Sequence, residues 1–563
     1  MRGISQTVTT LILMFASLLA NAPQLFLSTD KARYNPDEKV VLTIQSANVS
    51  HDSKAKISIY HLEKPIFLQT LNIPGNGETR FSWVPPRQDF KGYLVHVQIG
   101  QDIQSSIAVD VSSDWAKYIR YGFLSKFPQM QAEEMDSVLN QLNRFHINGL
   151  QFYDYHYMHQ KPLKLKNGKP VESWPDIAGR WNYSGTVSHY IQKSSQLNMK
   201  SMAYNLIYGS WKRALGEDVK QEWQVYKDPD LSKPYILDFP DTWEDDIVFL
   251  NPGNREWQNY LISHTKPVFD VMHFDGWHVD QIGDINPLYD QNRKKVVLDS
   301  TFSAFLQEAK KQLKVPLVMN AVNQYGQECI AASGAVEFLY TEVWDPHVTF
   351  EDLVSIIKTN DKLGNDQHST VLAAYMNYEK SNEEGYFNTP GILLTDAVIF
   401  ASGAAHLELG EHMLVHEYFP NDHRKTDQNL NESLIRYYDF MTAYENLLRD
   451  SRESKLSINC QSHPFSSKPE AGKIWISQRK TGRYTVYHLI NFTHIKEMNW
   501  RDPQGTCPEP QVLTNIKLVP VSQGKAFYAS PDNEDLRLFP LKDDQKIITL
   551  PFLKYWTMVI VKD

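Results

Sequence analysis

Three cysteines in 563 residues leave no room for a disulfide framework, so the fold must rest on apolar cores. Cys460 and Cys507 are candidates for a single bridge, and Cys329 is expected to be a buried free thiol in a helix. After the N-terminal segment no stretch approaches 18 apolar residues in a row, which excludes a helical membrane span. A basic excess is missing as well: 57 Lys and Arg face 66 Asp and Glu, a net charge of −9. Phosphate backbones need the opposite sign, so nucleic acid is excluded as a partner and a neutral ligand is compatible. There is no Gly-x-Ser-x-Gly elbow, no His-Glu-x-x-His helix and no recognisable Cys-His pair, so the common hydrolase and zinc-protease signatures are absent.

Aromatic residues are plentiful, with 13 Trp, 29 Tyr and 26 Phe. Such rings fill cores and also stack on the apolar faces of sugars. The chain opens with Arg2, an apolar run from Leu11 to Ala20 and the small-residue pattern Ala20-Asn21-Ala22. That reads as an export signal over residues 1–22, too short to cross a bilayer, and places the mature protein in the periplasm or outside the cell. Residues 23–113 show period-two runs such as VVLTIQSA and GYLVHVQIG, separated by turns at Asn35-Pro36-Asp37 and Pro74-Gly75-Asn76-Gly77. A small antiparallel sandwich is expected there, without chemistry of its own.

From Asp114 the period changes. Strand-length apolar segments alternate with amphipathic helical stretches over residues 114–450. The strand candidates are Tyr121 to Phe127, Ile147 to Tyr155, Lys200 to Tyr208, Phe274 to Gly283, Pro316 to Val322, Phe338 to Trp344, Ser369 to Asn377 and Ala405 to Glu411. Eight strands with helices between them are what a (β/α)8 TIM-type barrel requires. A doubly wound open sheet is the alternative, but no Gly-rich phosphate turn follows the first strand. Residues 451–563 return to short strands, a second antiparallel β-domain.

In a barrel, the C-terminal ends of the strands share one pocket. The polar residues there are Gln151, Tyr153 and Asp154; Asn205; Asp280, Gln281 and Asp284; Asn320; Glu342, Trp344 and Asp345; Asn377; and Glu408 with Glu411. Acids, amides and aromatics without a metal signature suit glycoside cleavage, in which one carboxyl protonates the leaving oxygen and another faces it across the anomeric carbon. Asp280 closes the fourth strand and Glu342 the sixth. An Asp beside Asp275 and Asp284 can equally cap a helix or brace a loop. Glu342, set in an apolar strand beside Tyr340 and Trp344, must be paired, hydrated in a cleft or protonated.

At these residues the sequence resembles glycoside hydrolase family 66, the bacterial endo-dextranases and cycloisomaltooligosaccharide glucanotransferases. The matching segments are RYGFLSKF (Arg120 to Phe127), HINGLQFYDYHYMHQKP (His146 to Pro162), FDGWHVDQIGD (Phe274 to Asp284), NAVNQYG (Asn320 to Gly326), FLYTEVWD (Phe338 to Asp345) and LELGEHMLVHEYFPN (Leu407 to Asn421). The chain departs from the commoner pattern at Tyr155-His156 and at His278-Val279. The resemblance implies an N-terminal immunoglobulin-like sandwich, the barrel and a C-terminal Greek-key β-domain. It also implies endo-acting, retaining cleavage of α-1,6-linked glucan, with Asp280 as nucleophile and Glu342 as acid/base. Gln151, Tyr153, Asp154, Asn320, Trp344 and Glu411 would hold the sugar.

Only 68 residues separate Glu342 from Glu411, and the seventh βα unit needs them. That leaves no space for the extra carbohydrate-binding domain that the glucanotransferases of the family carry late in the barrel, and so favours hydrolysis of dextran. Alternatives are cyclising transfer, another retaining α-glucanase on the same architecture, and a glycan-binding protein without turnover. No cofactor is expected, no Ca²⁺ site is predicted, and the partners expected are dextran and isomaltooligosaccharides, with the protein a monomer.

Overall fold

A computed structural model describes residues 22–365, 367–520, 524–544 and 547–562. All but the last residue of the expected export signal lies outside the described residues.

Residues 24–111 form seven antiparallel strands in two sheets, one of three strands and one of four. Alternation in the sequence sets the faces: in Val40–Ala47 every second side chain is buried, as a strand with one face on a core requires. Four of these strands were legible as alternating runs. Lys64–Ile73 was not, because its apolar residues Ile66, Phe67 and Leu68 are consecutive and do not alternate, and its side chains are largely exposed.

Eight parallel strands follow, all inside the expected segments: β1 (Tyr121–Leu124), β2 (Gly149–Phe152), β3 (Lys200–Leu206), β4 (Gly276–Asp280), β5 (Leu317–Met319), β6 (Leu339–Glu342), β7 (Thr370–Ala373) and β8 (Ala405–His406). They pair in sequence order as a five-stranded sheet, β1 to β5, and a three-stranded sheet, β6 to β8. The two sheets meet at both ends. Isolated parallel bridges join Leu317 to Val336 and Asn320 to Tyr340. At the other seam Phe123 donates its backbone N–H to the carbonyl of Leu409 at 3.1 Å. Gly122 permits that approach, since a Cβ there would lie 2.7 Å from the same carbonyl. Tyr121, Met202, Val318, Tyr340, Val371 and Ala405, drawn from both sheets, pack in one shared cluster. The opposite strand faces pack on helices such as Ala132–Arg144, Arg255–Met272, which Asn254 caps through its side chain, and Ser300–Leu313.

The C-terminal part holds a seven-stranded and a four-stranded sheet. The long apolar run near the end splits at Lys554–Tyr555 into Ile547–Leu553 and Trp556–Lys562. The three thiols are free. Cys460 is buried in a core strand, whereas Cys507 sits in a loop whose backbone N–H is held by Asp502, so the candidate bridge does not form. Cys329 does lie in a helix, but is only half-buried.

The parts are joined by buried charge. Arg120, just ahead of β1, is fully buried and contacts Asp110 of the N-terminal sandwich at 2.5 Å and Glu445 of a late helix at 3.3 Å. Glu63 of the sandwich receives Tyr484 Oη at 3.0 Å and pairs with Lys562 of the C-terminal sheet.

Candidate active site

In β4 and β6 every residue is buried except the last. Those last residues are Asp280 and Glu342, whose carboxylates are left partly open at one end of the parallel strands. Asn320, just beyond β5, lies between them. Its Nδ2 donates to Asp280 Oδ1 at 2.9 Å and to Glu342 Oε2 at 2.8 Å. Two oxygens held by one nitrogen at those lengths lie no more than about 5.7 Å apart.

Each carboxylate has further donors. Asp280 accepts Tyr204 Oη at 2.7 Å and the Gln281 backbone N–H at 2.8 Å. Glu342 accepts Tyr375 Oη at 2.7 Å. Burial raises both acids above the ordinary carboxylate range. For Asp280 the donors from Tyr204, Asn320 and Gln281 oppose that rise. For Glu342 burial and the negative charge of Asp280 push the value to about 7, against hydrogen bonds from Tyr375 and Asn320. Two acids this close share one proton near neutrality. Burial and the negative charge of Asp280 raise Glu342, which favours that proton on Glu342.

A pocket of about 330 Å³ opens over the pair, and Gln151, Tyr153, Asp154, Asn320 and Trp344 line it with them. Tyr153 stacks on Phe419 with ring centres 4.4 Å apart. Asp154 is buried, 3.9 Å from the Arg180 guanidinium, and burial raises it to about 7. Glu411 stands away from this pocket: its carboxylate accepts the backbone N–H and hydroxyl of Ser125 at 2.8 and 2.6 Å, bracing the loop after β1. Of the departures from the family pattern, His278 reaches the pocket floor, where it bonds Tyr121 Oη at 3.1 Å. Tyr155 and His156 are buried.

Tyr204, Tyr375 and His159 also line the pocket, with Phe239 and Trp243, which stack at 4.4 Å in the loop after β3. None of these stood out in the sequence. The strand-end criterion selected Asn205 and Asn377, near neighbours of the two tyrosines. Asn205 instead turns its amide to the His159 carbonyl, and Asn377 to the Asp502 carbonyl.

Two groups of metal-ligating side chains exist among the described residues. In the first, Asp154, His156 and His159, the Trp211 indole N–H donates to His159 Nδ1 at 3.2 Å. Indole only donates, so the hydrogen of the neutral imidazole is on Nε2 and that nitrogen has no lone pair for a metal. In the second, His406 Nε2 donates to the Ala374 carbonyl and Nδ1 lies 2.8 Å from Asp396, with Glu408 held by Tyr438. That network is sealed behind β8, away from the pocket.

The model of glycosyl hydrolase family 66 matches residues 29–560. The chain belongs to that family. A cycloisomaltooligosaccharide glucanotransferase of Niallia circulans is 26% identical over 98% of this chain and 74% of its own. A dextranase of Streptococcus salivarius is 22% identical over 84% of this chain and 67% of its own. Among solved structures, a Paenibacillus sp. cycloisomaltooligosaccharide glucanotransferase complexed with cycloisomaltoheptaose superposes with a TM-score of 0.90 at 25% identity, covering 96% of this chain and 99% of that one. This family 66 protein is thus a glycosidase-family enzyme whose homologues act on dextran and isomaltooligosaccharides.

Proposed function

We propose that the eight parallel strands close into a (β/α)8 barrel, and that the enzyme is a retaining endo-glucanase cutting α-1,6 bonds of dextran. The observation that carries this reading is the bridging amide of Asn320, which keeps the facing oxygens of the two carboxylates, Asp280 Oδ1 and Glu342 Oε2, within about 5.7 Å of each other. Retaining enzymes need about 5 to 5.5 Å between the groups, and inversion needs several ångström more to admit a water. Asp280, with three donors, attacks the anomeric carbon and forms a glucosyl ester as the glycosidic C–O bond breaks. Glu342 gives its proton to the departing oxygen, then takes one from the water that opens the ester. Gln151 Oε1 and Asn320 Oδ1 are buried acceptors without partners, which sugar hydroxyls would satisfy. Phe239 and Trp243 after β3 and Trp344 after β6 offer ring faces from two separate loops.

Asp280→Ala and Glu342→Gln are each expected to lose on the order of 10³-fold or more in turnover while keeping the native circular dichroism spectrum. Activity persisting in either would sink the assignment. Similarity to glucanotransferases favours a second reading, cyclising transfer, in which a sugar hydroxyl in place of water opens the ester. Chromatography of dextran digests over time separates the two: a ladder of linear isomaltooligosaccharides is expected, and cyclic products would overturn hydrolysis.

A further inference from the structure

The C-terminal β-domain sends one loop back to the pocket. Trp500 donates its indole N–H to the His347 carbonyl at 2.8 Å and its backbone N–H to Val348 at 3.1 Å. The Asn377 backbone N–H donates to the Arg501 carbonyl at 2.8 Å, and the Asn377 amide to the Asp502 carbonyl at 2.7 Å. Asn388 holds the Asp502 carboxylate at 2.6 Å. These anchors grip the segments that leave β6 and β7, the strands that carry Glu342 and precede Tyr375.

Between the anchors lies Arg501, 6% exposed. Its guanidinium covers the rings of Trp344 and Trp500 at 4.9 Å each and Tyr378 at 5.6 Å. Its Nη2 donates to the Val343 carbonyl at 2.7 Å. Val343 is bonded directly to Glu342, and Trp344 is a wall of the pocket. A planar cation that lies over neighbouring rings and also donates to a carbonyl restrains both the ring and the backbone, more tightly than an ammonium on a flexible stem can.

We propose that Arg501 is a positioning residue for proton transfer: from the C-terminal domain it locks the Val343-Trp344 turn so that the Glu342 carboxyl meets the glycosidic oxygen. This rests on the assignment of Glu342 as the acid. The competing account is simple interdomain packing, which would lower stability and slow every substrate alike.

The two accounts part on leaving groups. An isomaltooligosaccharide leaves as an alkoxide unless it is protonated, whereas fluoride departs without an acid. The test compares kcat/KM for isomaltooligosaccharides and α-isomaltosyl fluoride in the full-length enzyme, since that ratio reports the step that breaks the glycosidic bond. A displacement of about 1 Å can cost on the order of 10²-fold. Arg501→Ala is therefore expected to lose about 10- to 100-fold on the oligosaccharide and less than about 3-fold on the fluoride. Arg501→Lys should show a smaller loss with the same selectivity, and carries the comparison if the alanine variant melts too early to assay. Equal losses on both substrates, or none on either, would overturn the proposal. Glu342→Gln run alongside must show the same selectivity; if it does not, the assignment of the acid fails, an outcome distinct from failure of the role of Arg501.

Discussion

Asn320 touches both carboxylates through a single nitrogen, while each carboxylate keeps one phenol to itself, Tyr204 for Asp280 and Tyr375 for Glu342. A hydrogen bond to the charged form favours ionisation, so each phenol holds its own acid down against burial and against the other acid. In the proposed mechanism Glu342 starts protonated and Asp280 ionised, and with a value of about 7 for Glu342 the rate should fall as pH rises through that point. Burial places the titration of Asp280 above the ordinary carboxylate range, so the acid limb should lie higher than for an exposed Asp. Removing a phenol removes a restraint on one limb. Tyr375→Phe is expected to move the alkaline limb of kcat/KM to higher pH and Tyr204→Phe to move the acid limb to higher pH. The two limbs belong to the coupled pair, so some movement of the partner limb accompanies each. A downward shift in either variant would contradict the hydrogen-bond account.

At the scale of strands and loops, segment type and order were legible because period and length carry them: all eight parallel strands fall inside the segments that alternation and spacing predicted. Parity was less legible. Successive residues of a strand face opposite sides, so an error of one position exchanges a pocket residue for one that faces the helices. The strand-end reading points to Asn205, whereas Tyr204 and Leu206 line the pocket. Glu408 was selected although Leu407 is the residue packed inside, and Glu408 faces Tyr438 on a helix. Past the last strand residue even parity fails, since Asn377 turns into the left-handed region at φ +55° and leaves the alternation. Pocket residues supplied by loops, Phe239 and Trp243 among them, have no period at all. Trp243→Ala is expected to raise KM for dextran by about 5- to 150-fold with little change in kcat, because a stacking ring is worth about 1–3 kcal/mol in other stacked-ring systems. A fall in kcat alone would place Trp243 in the chemistry instead.

The whole molecule is tied by ions that water does not reach. Arg120 has no exposed side-chain surface and neither do Asp110 and Glu445, so its removal would strand two carboxyl groups in the interior. A buried ion that loses its partner costs about 3–5 kcal/mol. Arg120→Met is therefore expected to lower the denaturant midpoint substantially. An unchanged midpoint would show that the three parts fold independently of that cluster.

Chains assembled from a β-domain, a catalytic core and another β-domain invite trimming and exchange of their flanking pieces. The loop from Met498 to Asp502 resists it here. A shortened version ending near residue 450 would keep both acids, the bridging amide and the two phenols, yet it would lose the hydrogen bonds that hold the turn beyond Glu342. Such a product should bind glucan and work poorly. Grafting the C-terminal piece of a relative should succeed only when the donor brings its own counterpart of that five-residue clasp.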